Sequence, residues 1–166
     1  NQILKGLIHL HDRNIYHGDI KPDNIYLGVN GAVKLLDLGG ASLLRKYENP
    51  ISTNRYAPRD WVLRSDLTIS KDVKFDLYEL GVTLCELITG KSQLSTRQLE
   101  NEENRDEAWD EAHTQMIVAL KRALSPHHPA HLECILGMLE SRYKSAEKAR
   151  KAWKQATKID KRAFSE

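Results

Sequence analysis

Two short β-like runs, Ile25–Tyr26–Leu27 and Ala32 to Leu36, are separated only by Gly28–Val29–Asn30–Gly31, a linker of turn residues that predicts a hairpin. A hairpin brings together the residues that flank its two strands. Asn24, just before the first run, is therefore expected close to Asp37, just after the second. The glycines and Asn30 are expected to supply the positive φ of the turn. Upstream, residues 18–24 form a polar, turn-rich loop with one bend fixed by Pro22, and Ile15–Tyr16–His17 reads as a short extended stretch.

The remainder reads as helix and loop. Ile3, Leu4, Leu7, Ile8 and His11 fit one face of an opening helix that ends near Asp12. From Gly39 to about Asp72 periodicity is weak, which predicts a long functional loop holding a short helical piece near Trp61 to Leu63. Asp76 then precedes an apolar stripe of Leu77, Leu80, Leu84, Leu87 and Ile88, ended by Gly90. Gly81 within it costs about 1 kcal/mol relative to Ala, so it is expected to admit a close backbone neighbour. Three further helices are predicted, at about Asp106 to Leu124, His131 to Glu140 and Ser145 to Phe164. The fold class is thus mainly α with a short β-hairpin.

Composition excludes several classes. A chain of 166 residues, 40% apolar and 29% charged, is sized for one folded domain and is not disordered or collagenous. No apolar stretch approaches the roughly 18 residues of a membrane span. Cys85 and Cys134 each sit among apolar residues, which predicts two buried thiols and suits an intracellular, cytoplasmic setting. Nine bases against two acids over residues 141–162 read as the solvated face of a helix, so no nucleic-acid partner is inferred.

The loop and hairpin carry His17–Gly18–Asp19–Ile20–Lys21–Pro22–Asp23–Asn24 and, thirteen residues after Asn24, Asp37–Leu38–Gly39. Moving a γ-phosphoryl group to a hydroxyl needs an oriented nucleophile, a divalent metal between the phosphates and cationic charge near the transferred group. Asp19 can accept the hydroxyl proton, Lys21 can neutralise the γ-phosphate, and Asn24 with Asp37 can give oxygen ligands to Mg²⁺. Read singly, each has a plainer role: a solvated or capping carboxylate, a surface lysine, and two turn caps.

At these residues the sequence resembles the eukaryotic-type protein kinases, whose H-R-D catalytic loop ends in Asn and is followed by D-F-G. Thr53-x-x-Tyr56 with Asp60 is similar in register to the family's T-x-x-Y-x-A-P-E, and Asp76 to Val82 to its D-x-x-S-L-G-V. Arg142–Tyr143–Lys144–Ser145–Ala146 resembles its R-P-T-A. The resemblance implies a protein-kinase-like C-terminal lobe over 1–166, with catalytic loop 17–24, metal-binding segment 37–39, activation segment 37–60, central helix about 76–89 and C-terminal helices about 106–164. It implies that Asp19 is the catalytic base, that Lys21 marks a Ser/Thr rather than Tyr preference, and that Lys21, Asn24 and Asp37 serve ATP and Mg²⁺, with a protein as substrate. It further implies that His17 packs, Thr53 braces the catalytic loop, Asp76 bonds the backbone around His17, and Asp60 pairs with Arg142.

The departures carry expectations of their own. Gly18 stands where most members have the Arg that pairs with a phosphorylated activation segment, so activity is expected not to depend on phosphorylating residues 37–60. Leu38 replaces Phe, and Arg59 stands in the place of Pro. None of the nine glycines belongs to a G-x-G-x-x-G, and no V-A-I-K-like strand is present, so the N-terminal lobe is absent from these residues. With Asn1 rather than Met at the start and helical periodicity beginning at once, the chain reads as a piece of something longer. The missing lobe is expected upstream in the same polypeptide or from a partner chain, and the piece alone is expected to be weakly active or inactive. Two other readings stay open: a small-molecule kinase similar to the aminoglycoside and choline phosphotransferases, which share H-G-D openings, and a non-catalytic pseudokinase or truncated binding module.

Overall fold

The computed structural model describes residues 1–43, 52–63, 71–92 and 104–163. Helix α1 (Gln2–His11) is followed by four short strands, β1 (Ile15–Tyr16), β2 (Ile25–Leu27), β3 (Val33–Leu35) and β4 (Ser42–Leu43). Then come α2 (Arg59–Leu63), α3 (Val73–Thr89), α4 (Arg105–Leu124), α5 (Pro129–Leu139) and α6 (Ala146–Ala163). The described residues are mostly helical, with two small antiparallel sheets.

β2 and β3 form the hairpin, with Ile25 opposite Leu35 and Leu27 opposite Val33. Its turn is closed by Gly28 N donating to Ala32 O (2.8 Å) and Gly31 N to Gly28 O (2.9 Å). Of the four turn residues, only Gly31 takes a positive φ, +74°; Asn30 instead caps the turn by accepting from Ala32 N at 3.0 Å. A second ladder, β1 with β4, pairs Ile15 with Leu43 and Tyr16 with Ser42. β1 matches the extended stretch expected at Ile15–Tyr16, but its pairing with β4 has no sequence signal, because a two-residue strand has no alternation to read.

α3 begins at Val73, three residues before the predicted start, because the Asp72 side chain accepts from Phe75 N at 2.9 Å and caps the first turn. Gly90, at φ +69°, ends it. Its burial runs all round, as for a helix at the centre of a domain. On one side Leu77 and Leu80 meet Leu4, Leu7, Met138 and Ala149; on the other Phe75, Tyr78, Val82 and Cys85 meet Trp109, Met116, Leu120 and Ile135. Gly81 is where α5 approaches: a Cβ there would lie 2.9 Å from Leu139 Cδ2 and 3.3 Å from Met138 Cβ. The close neighbour is therefore a pair of side chains and not the expected backbone.

Cys85 and Cys134 are buried and unbridged. Lys148, Lys151, Lys154 and Lys158 of α6 face solvent. Among the described residues no helix is long and apolar enough to cross a membrane.

Candidate active site

Ile20 fixes the loop between β1 and β2 onto α3 at three points. Its side chain is fully buried with Leu4, Leu7, Leu77 and Leu80, a burial that stabilises by about 1.5–3 kcal/mol. Its N–H donates to Glu79 Oε2 (2.8 Å), and its carbonyl accepts from Thr83 Oγ1 (3.0 Å). One turn earlier on α3, buried Asp76 accepts from His17 N (3.0 Å), Gly18 N (2.8 Å) and His11 Nε2 (2.8 Å). The buried His17 ring in turn donates from Nε2 to Leu36 O at 3.0 Å, and Leu36 N donates to Asn24 O at 2.8 Å. These bonds tie the loop to both ends of the hairpin.

The side chains flanking Ile20 converge on Asp19. Asp19 Oδ1 accepts from Thr53 Oγ1 (2.7 Å) and Thr53 N (3.0 Å); Oδ2 meets Lys21 Nζ (2.8 Å) and Asn24 Nδ2 (3.2 Å). Lys21 also donates to Thr53 Oγ1 at 2.9 Å, and Asn24 Nδ2 to Asp19 O at 2.8 Å. Burial alone would raise the Asp19 carboxyl, but hydrogen bonds from Lys21 and Thr53 and the Lys21 charge outweigh it and hold the group below the usual carboxylate range.

Asp37 sits immediately after the Leu36–Asn24 bond, exposed, at a φ of +59° that Asp tolerates better than most residues. Its Oδ1 accepts from Gly39 N at 2.9 Å, leaving Oδ2. Asn24 spends only its amide nitrogen, leaving Oδ1. One carboxylate and one amide oxygen are hard donors, a set that suits Mg²⁺ completed by phosphate oxygens and water.

Asp60 and Arg142 do not meet. Asp60 is exposed in the first turn of α2, whereas Arg142, in the connection between α5 and α6, pairs with Glu140 (2.9 Å) and Glu133 (3.5 Å). The neighbouring Arg59 is the residue that docks α2, bonding Asp110 (3.0 Å) and Asp106 (3.5 Å) of α4. The acidic end of α4 draws the arginine, and Asp60 is left facing solvent.

Two residues around the loop carry no role in the motif. Glu79, fully buried where the similar family pattern has Ser, accepts from Ile20 N and from Ser52 Oγ (3.0 Å), and its burial pushes its carboxyl well above the usual range. Lys71, in the turn before α3, reaches back to the loop. A departure from Ser inside D-x-x-S-L-G-V was the one available signal for Glu79; Lys71 had none. A His128–His131–Asp160 cluster lies elsewhere, but Asp160 already accepts from Ala130 N, His131 N and His131 Nδ1, so it caps α5.

Residues 1–160 match the family model described as the protein kinase domain. The chain belongs to the protein kinase family. Among kinase relatives it is 36% identical over 106 residues to rhodopsin kinase of Rattus norvegicus, covering 61% of this chain and 18% of that protein. It is 40% identical over 99 residues to the Wee1-like protein kinase of Arabidopsis thaliana, covering 58% and 19%. A probable serine/threonine-protein kinase of Encephalitozoon cuniculi is 37% identical over 89 residues, covering 51% and 27%. The chain thus spans less than a third of each of these kinases.

Proposed function

We propose that this chain is the C-terminal lobe of a Ser/Thr protein kinase, with 17–24 as its catalytic loop and 37–60 as its activation segment. The observation that carries the reading is the hydrogen-bonded group of Asp19, Lys21, Asn24 and Thr53, fixed to the core through Ile20.

ATP is the phosphoryl donor, and Asn24 Oδ1 with Asp37 Oδ2 would hold Mg²⁺, which supplies neutralisation of charge on the phosphates. Asp19 acts as the proton acceptor. Four donors already occupy its two oxygens, about as many as a carboxylate accepts, so an incoming hydroxyl must displace one. Lys21 is the partner able to leave, because its side chain is 23% exposed. When its ammonium moves to the γ-phosphate, Oδ2 is open to the acceptor hydroxyl while Thr53 still orients Oδ1. Lys21 therefore exchanges one anion for another and stays paired throughout.

A second lobe covers the nucleotide side, in the same polypeptide or from a partner chain. Tyr26, Leu27, Leu36 and Leu38 support this: they point out of the hairpin and its flank, Leu27 with 71% exposure, beside the carboxylate and amide that would hold the metal. Exposed apolar side chains on both faces of a short hairpin, next to polar chemistry, mark a surface that another layer buries.

The test is a mass-spectrometric screen of the full-length protein with Mg-ATP against Ser, Thr and Tyr peptides and small-molecule alcohols. Phosphate on Ser or Thr, abolished by Asp19→Asn, is expected. Label confined to small molecules would assign the chain to the other kinase class, and no transfer from a folded, ATP-binding protein would make it a binding module.

A further inference from the structure

Gly18 has a φ of +66°, and a Cβ built on it would overlap Cδ, Cε and Nζ of Lys71. The space a side chain at position 18 would enter is filled by a lysine from 53 residues downstream. Lys71 is 2% exposed. Its ammonium donates to Gly18 O (2.8 Å), in the loop that carries Asp19, and to Gly40 O (2.8 Å), in the segment that follows Asp37. The rings of Trp61 and Phe75 lie 5.6 and 5.8 Å from Nζ, within cation–π range. Burial lowers the pKa of the ammonium, and the neighbouring carboxylates of Asp76 and Asp19 oppose that shift. A buried cation is costly unless its donors are met, so this one is held where two carbonyls from separate segments and two aromatic faces receive it.

We propose that Lys71 is a positioning residue: it supplies from before α3 the cation that position 18 lacks, and by bridging Gly18 and Gly40 it holds the Asp19 loop against the start of the activation segment. The clamp is built from the chain's own lysine, so the segment needs no phosphate to reach this arrangement. The effect on catalysis rests on the kinase reading above; the bridge itself does not.

The experiment compares wild type, Lys71→Met and Lys71→Arg in the full-length protein, by steady-state kinetics and by amide hydrogen exchange over residues 15–19 and 40–43. Lys71→Met should lower kcat about tenfold or more while the KM for the peptide acceptor moves little, as expected when geometry is lost and contacts to substrate are kept. Exchange in both segments should quicken about tenfold as β1 and β4 part more often. Lys71→Arg, which keeps the cation, should restore both to within a few-fold of wild type. If Lys71→Met does not fold, Lys71→Arg decides: near wild-type kcat and exchange support the clamp, and a defect like that of Met overturns it. Wild-type kcat in Lys71→Met, or a lost kcat with unchanged exchange, also overturns it. A wild-type protein that phosphorylates nothing, yet shows the exchange pattern, sinks the kinase reading and leaves the bridge standing.

Discussion

Asp19 keeps its charge against the cost of burial because Lys21 and Thr53 are both within hydrogen-bond reach. A depressed carboxyl stabilises the fold above its unfolded pKa, and that contribution is lost as pH falls through the lower folded value. With Asp19 as the proposed proton acceptor, the same depression would set the acid limb of activity. In the full-length protein the limb of kcat/KM assigned to Asp19 should fall below the ordinary Asp value of about 3.9, and Lys21→Met should move it upward. A pH–rate profile of both proteins checks this, and an unmoved limb would separate Asp19 from the titration. Asp19, Lys21 and Asn24 could be read from sequence because they lie within six residues of one another and a hairpin fixes the far end. Lys71 could not: no periodicity or motif links it to Gly18, and only the folded path of the chain brings the two together.

α3 organises the site as an element, since Asp76, Glu79 and Thr83 present three successive polar groups to the loop of residues 17–24 from the buried face of the helix. Glu79 has the opposite sign to Asp19. Its carboxyl is raised by burial, so the stability it allows is fully present below the unfolded value near 4.5 and declines as pH rises toward the folded one. Glu79→Gln can still accept from Ile20 N and donate to Ser52 Oγ, so it should flatten this decline. Thermal melts from acid to mildly alkaline pH read the difference, and parallel curves for the two proteins would count against a protonated Glu79.

Helix packing gives a second prediction. Gly81→Val should destabilise the protein by about 1–3 kcal/mol in urea titration, because Leu139 and Met138 stand where the branched side chain must go. At this scale the apolar stripe and the glycine terminator made α3 legible. Its first turn was not, since Asp72 caps a stretch whose apolar spacing does not declare itself. The Asp60–Arg142 pairing failed for a related reason: a motif register assigns positions in a line, whereas the acids on α4 decide which residue of α2 faces them.

At the scale of the molecule, two cores on either side of α3 join it to the five other helices, and the hairpin stands at one edge with Tyr26 and Leu27 exposed and Leu35 packed on the core. If another lobe covers that edge in the full-length protein, Leu27→Ser should cost about 1.5–3 kcal/mol there. In the 166-residue chain alone the same change should stay within about 0.5 kcal/mol, as for any surface substitution. Paired denaturation curves decide it, and equal effects in both would leave the hairpin uncovered. Fold class and helix order were legible from spacing, because long amphipathic segments declare themselves; the β1–β4 ladder was not, because it is two residue pairs, Ile15 with Leu43 and Tyr16 with Ser42, from distant parts of the chain.

The most direct measurement is a crystal structure of the full-length protein with Mg²⁺ and a non-hydrolysable ATP analogue. The account predicts one ion held at about 2.0–2.1 Å by both Asn24 Oδ1 and an Asp37 carboxylate oxygen, with Lys21 turned from Asp19 toward the terminal phosphate. A nucleotide and metal bound without either residue, or Lys21 still closed on Asp19, would contradict it.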